Sequence, residues 1–303
     1  MLIYFKLFFT AFFWGGTFVA GKIIATSVGP WSAAFLRFVF ASSVLLYFTR
    51  KHEGCFPKIT KTQIIPILLL GLSGICLYNY FFFTGLQLIE AGRGALIIAN
   101  TPIFIFLLSA FFFKEKLTLV KMLGILISVT GAVIVISKGD PGVILDGHLG
   151  KGELYIFGCV LSWTVFSLIG KSVISNLSPL ISITYASLVG VAGLLIPAVI
   201  MEGLVQNLAT YSLTDWLSLM YLGIFGTAIG FVWYYEGIKQ LGAASASQLI
   251  NLVPVNAVIL AFIILDEPVT KSLVVGALLV ITGVYVMNNA SHRNARKIKR
   301  PAE

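Results

Sequence analysis

About ten apolar stretches, most of them some 18 to 23 residues long, alternate with short polar connections along this 303-residue chain. As a helix, one such run spans the roughly 30 Å hydrocarbon core of a bilayer. Backbone groups in lipid must find partners inside the chain, so these runs form helices, not loops. A transmembrane β-barrel would need alternating segments of about ten residues, and none is present. Length alone would admit two soluble domains, but 58% of residues are hydrophobic and 11% charged, against roughly 25% charged in soluble domains. The expected fold is an all-α integral membrane protein with helices near 3–25, 31–49, 63–88, 92–113, 119–137, 152–174, 179–201, 215–238, 243–265 and 270–290. Pro30, Pro57, Pro179 and Pro268 fall in or beside connections. Pro66, Pro102, Pro197 and Pro254 fall inside apolar runs, where membrane helices tolerate them as kinks. The first run leads into Lys22 and Gly29-Pro30 without a small-residue cleavage pattern, so it is expected to remain as a helix.

The net charge of +9 does not point to nucleic acid, because the basic residues lie between apolar runs and in the tail 291–303. There they orient helices and meet anionic lipid headgroups. With a cytoplasmic amino terminus, 15 of the 21 Lys and Arg residues fall on the inner side: Lys6, Arg50, Lys51, Lys58, Lys61, Lys114, Lys116, Lys121, Lys171, Lys239 and five in the tail. Lys22, Arg93, Lys138, Lys151 and Lys271 fall outside, and Arg37 lies within a helix. That excess is expected to place both termini in the cytoplasm, and the plasma membrane is the expected location. Cys55, Cys76 and Cys159 show no CxxC spacing, and the last two read as small core residues.

The chain also repeats itself. An offset of 149 carries Trp14, Gly21, Lys22 and Pro30 onto Trp163, Gly170, Lys171 and Pro179. An offset of 152 carries Gly71, Gly74, Gly85, Ala91, Pro102, Glu115, Thr118, Gly124 and Gly131 onto Gly223, Gly226, Gly237, Ala243, Pro254, Glu267, Thr270, Gly276 and Gly283. The expected organisation is a first repeat at 1–138, an extracytoplasmic connection at 139–151, a second repeat at 152–290 and a basic cytoplasmic tail at 291–303. Five helices per unit is an odd number, so the second copy is expected upside down, as in many secondary transporters.

Ala243–Val286, with Pro254, Asp266-Glu267, Gly276 and Gly283, resembles the last two helices of an EamA repeat. Ala91–Ile136, with Thr101-Pro102, Lys114-Glu115-Lys116, Gly124 and Gly131, resembles the same region of the first repeat. Trp14-Gly15-Gly16-Thr17, Pro30 and Arg37 are similar to the family's opening. The resemblance covers nearly the whole chain. It implies the drug/metabolite transporter superfamily: ten helices, two inverted repeats, and secondary transport of amino acids or other small metabolites, often outward. The second repeat departs from the first at Ala186, which stands where Arg37 would be.

Ionisable groups inside a span cost several kcal/mol unless they face a cavity or a partner. Arg37 lies about seven residues, or roughly 10 Å, into helix 2. It can hold a substrate carboxylate or phosphate through its planar fork, or bond carbonyls or a carboxylate of another helix. Lys22 and Lys171 read as snorkelling to opposite interfaces. Glu236, near the inner end of helix 8, can take a coupling proton or pair with Lys239, and Glu90 and Arg93 flank the outer end of helix 4. Arg93 and Asn100, seven apart, share a helix face, as do Gln248 and Asn251, three apart. Such amides contact substrate or bond across helices. Trp14 and Thr17, Trp163 and Ser167, and the aromatics Tyr78, Trp233 and Tyr234 complete the candidate lining. Such a cavity suits amphipathic organic solutes, while interfacial anchoring is the competing role for the aromatics. Gly226–Gly230 reads as a close helix contact.

These features point to a secondary transporter with a small-molecule substrate, an amino acid or related compound favoured, and export the expected direction. Alternating access would rock the repeats around a cavity lined by helices 1, 3, 4, 6, 8 and 9, with Pro102 and Pro254 as hinges. A channel would show a filter-like loop or ring of charges, and neither is apparent. An enzyme would need an acid/base pair or metal cluster at depth, whereas His52, His148 and His292 lie in loops or the tail. The loop Gly142–Leu149 has phosphate-loop glycine spacing but puts His148 and Leu149 where Lys and Ser or Thr belong. No cofactor or metal is expected.

Overall fold

The computed structural model describes residues 1–54, 56–113, 118–140, 150–173 and 177–298. Cys55, the Lys114-Glu115-Lys116 motif, positions 141–149 of the connecting loop, and Lys299 and Arg300 of the tail lie outside them. Among the described residues, eight helices are long and apolar enough to cross a membrane. They are α1 (Leu2–Ile24), α2 (Pro30–Glu53), α3 (Lys61–Leu88), α4 (Ala91–Phe112), α5 (Leu119–Ile136), α6 (Lys151–Gly170), α7 (Pro179–Glu202) and α8 (Leu213–Gly242). Two shorter apolar helices complete the set, α9 (Val253–Leu265) and α10 (Lys271–Met287). Large apolar side chains such as Leu126, Ile200, Ile263 and Leu278 stay exposed on the outer faces. That is how a protein solvated by hydrocarbon is built, and the chain is a multi-pass membrane protein.

Several boundaries differ from the sequence expectation. The helix holding α10 continues to Ile298, so part of the expected tail is helical. Lys151 opens α6 instead of closing the loop before it. The 243–265 helix is interrupted. Gly242 takes φ +82°, a left-handed value that glycine alone adopts freely, and ends α8. Residues 243–250 are helical, 251–252 form a turn, and α9 follows with Pro254 in its first turn.

The expected kink at Pro102 is likewise a break. The half-helix Ala91–Ile98 stops, Ala99 and Asn100 form a turn, and a second half begins at Thr101. Proline has no N–H to give to the carbonyl four residues back. Thr101 Oγ1 serves the Ile98 carbonyl instead at 2.6 Å, and Asn100 Nδ2 serves that of Leu96 at 2.9 Å.

Two π-helical turns also interrupt the ladder, Gly71–Leu77 in α3 and Ile224–Ile229 in α8. They occupy matching places in the sequence repeat, and wide turns of this kind are frequent at functional sites.

Equivalent helices of the two repeats pack against each other in opposite directions. A Cβ on Gly131 would stand 2.7 Å from the Gly276 carbonyl oxygen and the Val280 nitrogen, and one on Gly124 would stand 2.7 Å from the Gly283 carbonyl oxygen. The matches run in reverse order, so α5 and α10 are antiparallel.

At the ends of α2 and α7 the exchange is reciprocal. Glu202, closing α7, accepts from the backbone nitrogens of Trp31 at 3.0 Å and Ser32 at 2.8 Å in the first turn of α2. Glu53, closing α2, accepts from Ser178 Oγ at 2.6 Å, and Ser178 caps α7. A carboxylate at a helix N-terminus satisfies orphan N–H groups and meets the positive end of the dipole. Glu202→Ala is therefore expected to destabilise the folded protein by on the order of 2 kcal/mol. A thermal melt in detergent with an unchanged midpoint would contradict that assignment.

Candidate functional site

The breaks and the π-turns converge on one cavity of about 230 Å³. Trp14, Thr17 and Phe18 reach it from α1, Arg37 and Phe38 from α2, and Ile75, Tyr78 and Asn79 from α3. Ile98, Thr101 and Pro102 line it beside the α4 break, and Asn251, Val253 and Pro254 do so at the break before α9. Trp163 of α6, Gly226 and Phe231 of α8, and Val280, Ile281 and Val284 of α10 close the wall.

Glycines make this convergence possible. A side chain at Gly226 would run into Thr17, and one at Gly230 would stand 2.5 Å from Trp14 Nε1, so the Gly226–Gly230 pair is the contact that seats α1 against α8. The rings then follow one another in contact, edge-on, stacked and tilted in turn. Phe231 lies 5.6 Å from Trp14 and 6.1 Å from Trp163, and Trp163 lies 5.3 Å from Tyr78. At these separations each pair adds to plain burial.

Arg37 is 8% exposed. Its Nε donates to Thr227 Oγ1 at 3.1 Å and its Nη1 to Asn79 Oδ1 at 2.9 Å. The guanidinium also lies 5.6 Å from the Phe38 ring centroid and 6.0 Å from that of Phe82. Both hydrogen-bond acceptors are neutral. Thr227 in turn donates to the Leu222 carbonyl at 2.8 Å, and Asn79 Nδ2 to that of Ile75 at 2.8 Å. Asn251 completes the polar lining. Its Nδ2 is buried without an acceptor among the described residues.

Of the residues singled out from sequence, the cavity brings together Trp14, Thr17, Arg37, Tyr78, Trp163, Asn251, Pro102 and Pro254. The others lie elsewhere. Asn100 is spent on its own break and accepts from Ser128 Oγ at 2.8 Å. Ser167 donates back to the Trp163 carbonyl at 2.7 Å. Trp233 and Tyr234 pack on α1, against Phe13 at 5.9 Å and Trp14 at 5.4 Å. The side chain of Gln248 lies outside the described residues, as does that of Lys171.

Three further charges find partners. Glu236 pairs at 2.5 Å with Lys6, not Lys239, away from the cavity. Lys22 Nζ donates to the Leu86 and Ile89 carbonyls at 2.7 and 2.8 Å, meeting the negative end of α3. Arg93 pairs with Glu153 at 2.8 Å. Phe18, Phe38, Asn79 and Phe231 were missed, as was the part played by α2 and α10 outside Arg37. Of these, Asn79 alone carried a signal, as an amide inside an apolar run.

Many apolar helices thus surround a central cavity with an aromatic wall and a buried cation. The chain belongs to the EamA-like transporter family, which it matches over residues 1–137 and 150–289 as two repeats. It is 29% identical to the uncharacterized transporter YyaM of Bacillus subtilis, over 93% of this chain and 92% of that one. It is 26% identical to the probable terminal-alkyne amino-acid exporter of Streptantibioticus cattleyicolor, over 97% of this chain and 96% of that one. A protein crystal structure superposes with a TM-score of 0.67 at 19% identity, covering 96% of this chain and 98% of its own, a likeness of fold alone.

Proposed function

We propose that this protein is a secondary transporter of the plasma membrane. Ten spans form two inverted repeats, 1–138 and 152–290, with both termini cytoplasmic. It moves a small amphipathic metabolite outward, an amino acid or related compound, by alternating access. The observation that carries this reading is the cavity, which lies at the breaks beside Pro102 and Pro254 and is walled by both repeats. Broken helices around a central site are a recurrent construction in secondary transporters. Antiparallel packing of the equivalent pairs α5/α10 and α2/α7 supports the inversion, and the name of the Streptantibioticus relative supports an amino-acid-like cargo.

Purified protein in liposomes is expected to exchange labelled substrate by counterflow without ATP. Strict dependence of flux on ATP hydrolysis would overturn the secondary-transport reading. Orientation has its own test. In a variant with Cys55 replaced by Ser, Ala209→Cys should react with an impermeant thiol reagent added outside intact cells, and His52→Cys should not. Both positions are exposed. Outside labelling at position 52 would reverse the topology.

A further inference from the structure

From the charge balance of the central cavity, we infer that its substrate is an organic anion: one carboxylate or similar acidic group on a small apolar or aromatic body. The inference rests on the transporter reading and narrows its amino-acid-related cargo to compounds whose amine is blocked or absent.

Arg37 is the one charged side chain lining the cavity among the described residues, and no Asp or Glu joins it there. Its Nε and Nη1 are held by the hydroxyl of Thr227 and the amide of Asn79, which orient the guanidinium without neutralising it. Nη2 is left uncommitted among the described residues. A buried cation bonded only to neutral groups keeps most of its desolvation cost, and an incoming carboxylate removes that cost.

A second, independent donor points the same way. Asn251, at the turn before α9, has a buried Nδ2 without an acceptor in the wall of the same cavity. Buried donors without acceptors are rare enough in native structures that each calls for an explanation, and an acceptor oxygen on the substrate supplies one.

The α4 break adds to the same field. The carbonyls that close its first half are already served by Thr101, Asn100 and the Ala99 nitrogen, while the opening residues of its second half, Thr101 and Pro102, line the cavity. The positive end of a half-helix is the end that favours an anion.

The rest of the lining places the apolar body. Across the sequence repeat, Arg37 corresponds to Ala186 and Asn79 to Phe231. One half therefore supplies the fork and its orienting amide, and the other supplies the ring that lies between Trp14 and Trp163. A volume of about 230 Å³ lies below the range of roughly 300–1,000 Å³ usual for drug-sized ligands, so one ring and a short acidic arm are the natural occupants. A cation would meet Arg37 with no carboxylate to offset it. An anionic cargo also sets direction: the inside-negative membrane potential drives a monoanion outward, so efflux needs no coupling proton.

The test uses three probes that share a phenyl ring: N-acetylphenylalanine as the anion, its carboxamide as a neutral isostere, and phenethylamine as the cation. Binding to the purified full chain is read from quenching of tryptophan fluorescence, to which Trp14 and Trp163 contribute from the cavity wall. N-acetylphenylalanine is expected to bind at least about tenfold more tightly than its carboxamide, with phenethylamine weakest. Arg37→Gln is expected to erase the difference between acid and carboxamide, and Asn251→Ala to weaken the acid several-fold. Equal affinity for acid and carboxamide, tightest binding of the amine, or no binding of any probe would overturn the anion assignment. Counterflow separates this from the transport reading. Tight acid binding without flux would sink transport and leave the anion site, whereas saturable flux of the amine without acid binding would do the reverse.

Discussion

Arg37→Gln is expected to lower substrate flux by about ten- to a hundredfold while the protein still inserts and purifies as one species. The factor follows from losing one charge-assisted contact worth roughly 1.5–3 kcal/mol in a site with little water. Arg37→Lys separates charge from geometry. It keeps the positive charge but loses the planar fork that donates to Thr227 and Asn79 at once. Its flux is therefore expected to fall between wild type and Arg37→Gln, with a raised half-saturation concentration. Both variants lose the simultaneous bonds to Thr227 and Asn79, so a modest drop in melting temperature accompanies them. One thermal melt and one saturation curve per variant decide the matter. A stable Arg37→Gln protein with unaltered half-saturation would show that the arginine only ties α2 to α3 and α8.

The second large effect belongs to the seam between α5 and α10. Gly131→Leu is expected to abolish accumulation of folded protein. Even the first atom of the new side chain would stand 2.7 Å from the Gly276 oxygen and the Val280 nitrogen. Those are backbone atoms of a helix packed along its length, so no rotamer change relieves the clash, and overpacking of this kind costs upwards of roughly 1–3 kcal/mol. Gly131→Ala should be milder but still lower the melting temperature measurably. Leu126→Ala on the same helix serves as the control, because Leu126 is exposed on the lipid-facing side and should melt as wild type does. Normal yield and melting of Gly131→Leu would mean that the two helices do not meet along this seam.

Helix existence and the two-copy organisation were readable because they rest on coarse signals: long apolar runs, prolines, and glycines recurring at a fixed offset. The breaks in α4 and before α9 were read only as kinks. A proline announces a missing hydrogen bond, but whether the chain bends or stops depends on neighbours that serve the freed carbonyls. At the first break Thr101 and Asn100 do so. For the same reason Asn100 was misplaced as a cavity residue, since an amide inside an apolar run looks identical whether it faces a solute or mends its own helix. Asn79, close to Tyr78 in the sequence, is the amide that orients Arg37. Its partner lies 42 positions away, and no local pattern links the two. Glu236 has Lys239 as its neighbour along the chain, whereas α1 brings Lys6 beside it from 230 positions away.

The two π-turns have one more consequence. An α-helix turns about 100° with each residue, so a turn that accommodates one extra residue shifts the phase of everything after it by that angle. Tyr78 and Asn79 directly follow the widened turn of α3, and Phe231 follows that of α8. Had the same sequence run on as an unbroken α-helix, these side chains would be directed roughly a third of a revolution away from the cavity, towards neighbouring helices or lipid. The aim of the aromatic and amide groups is thus set by a count, one surplus residue at the same place in each repeat, as much as by the chemistry of the groups themselves.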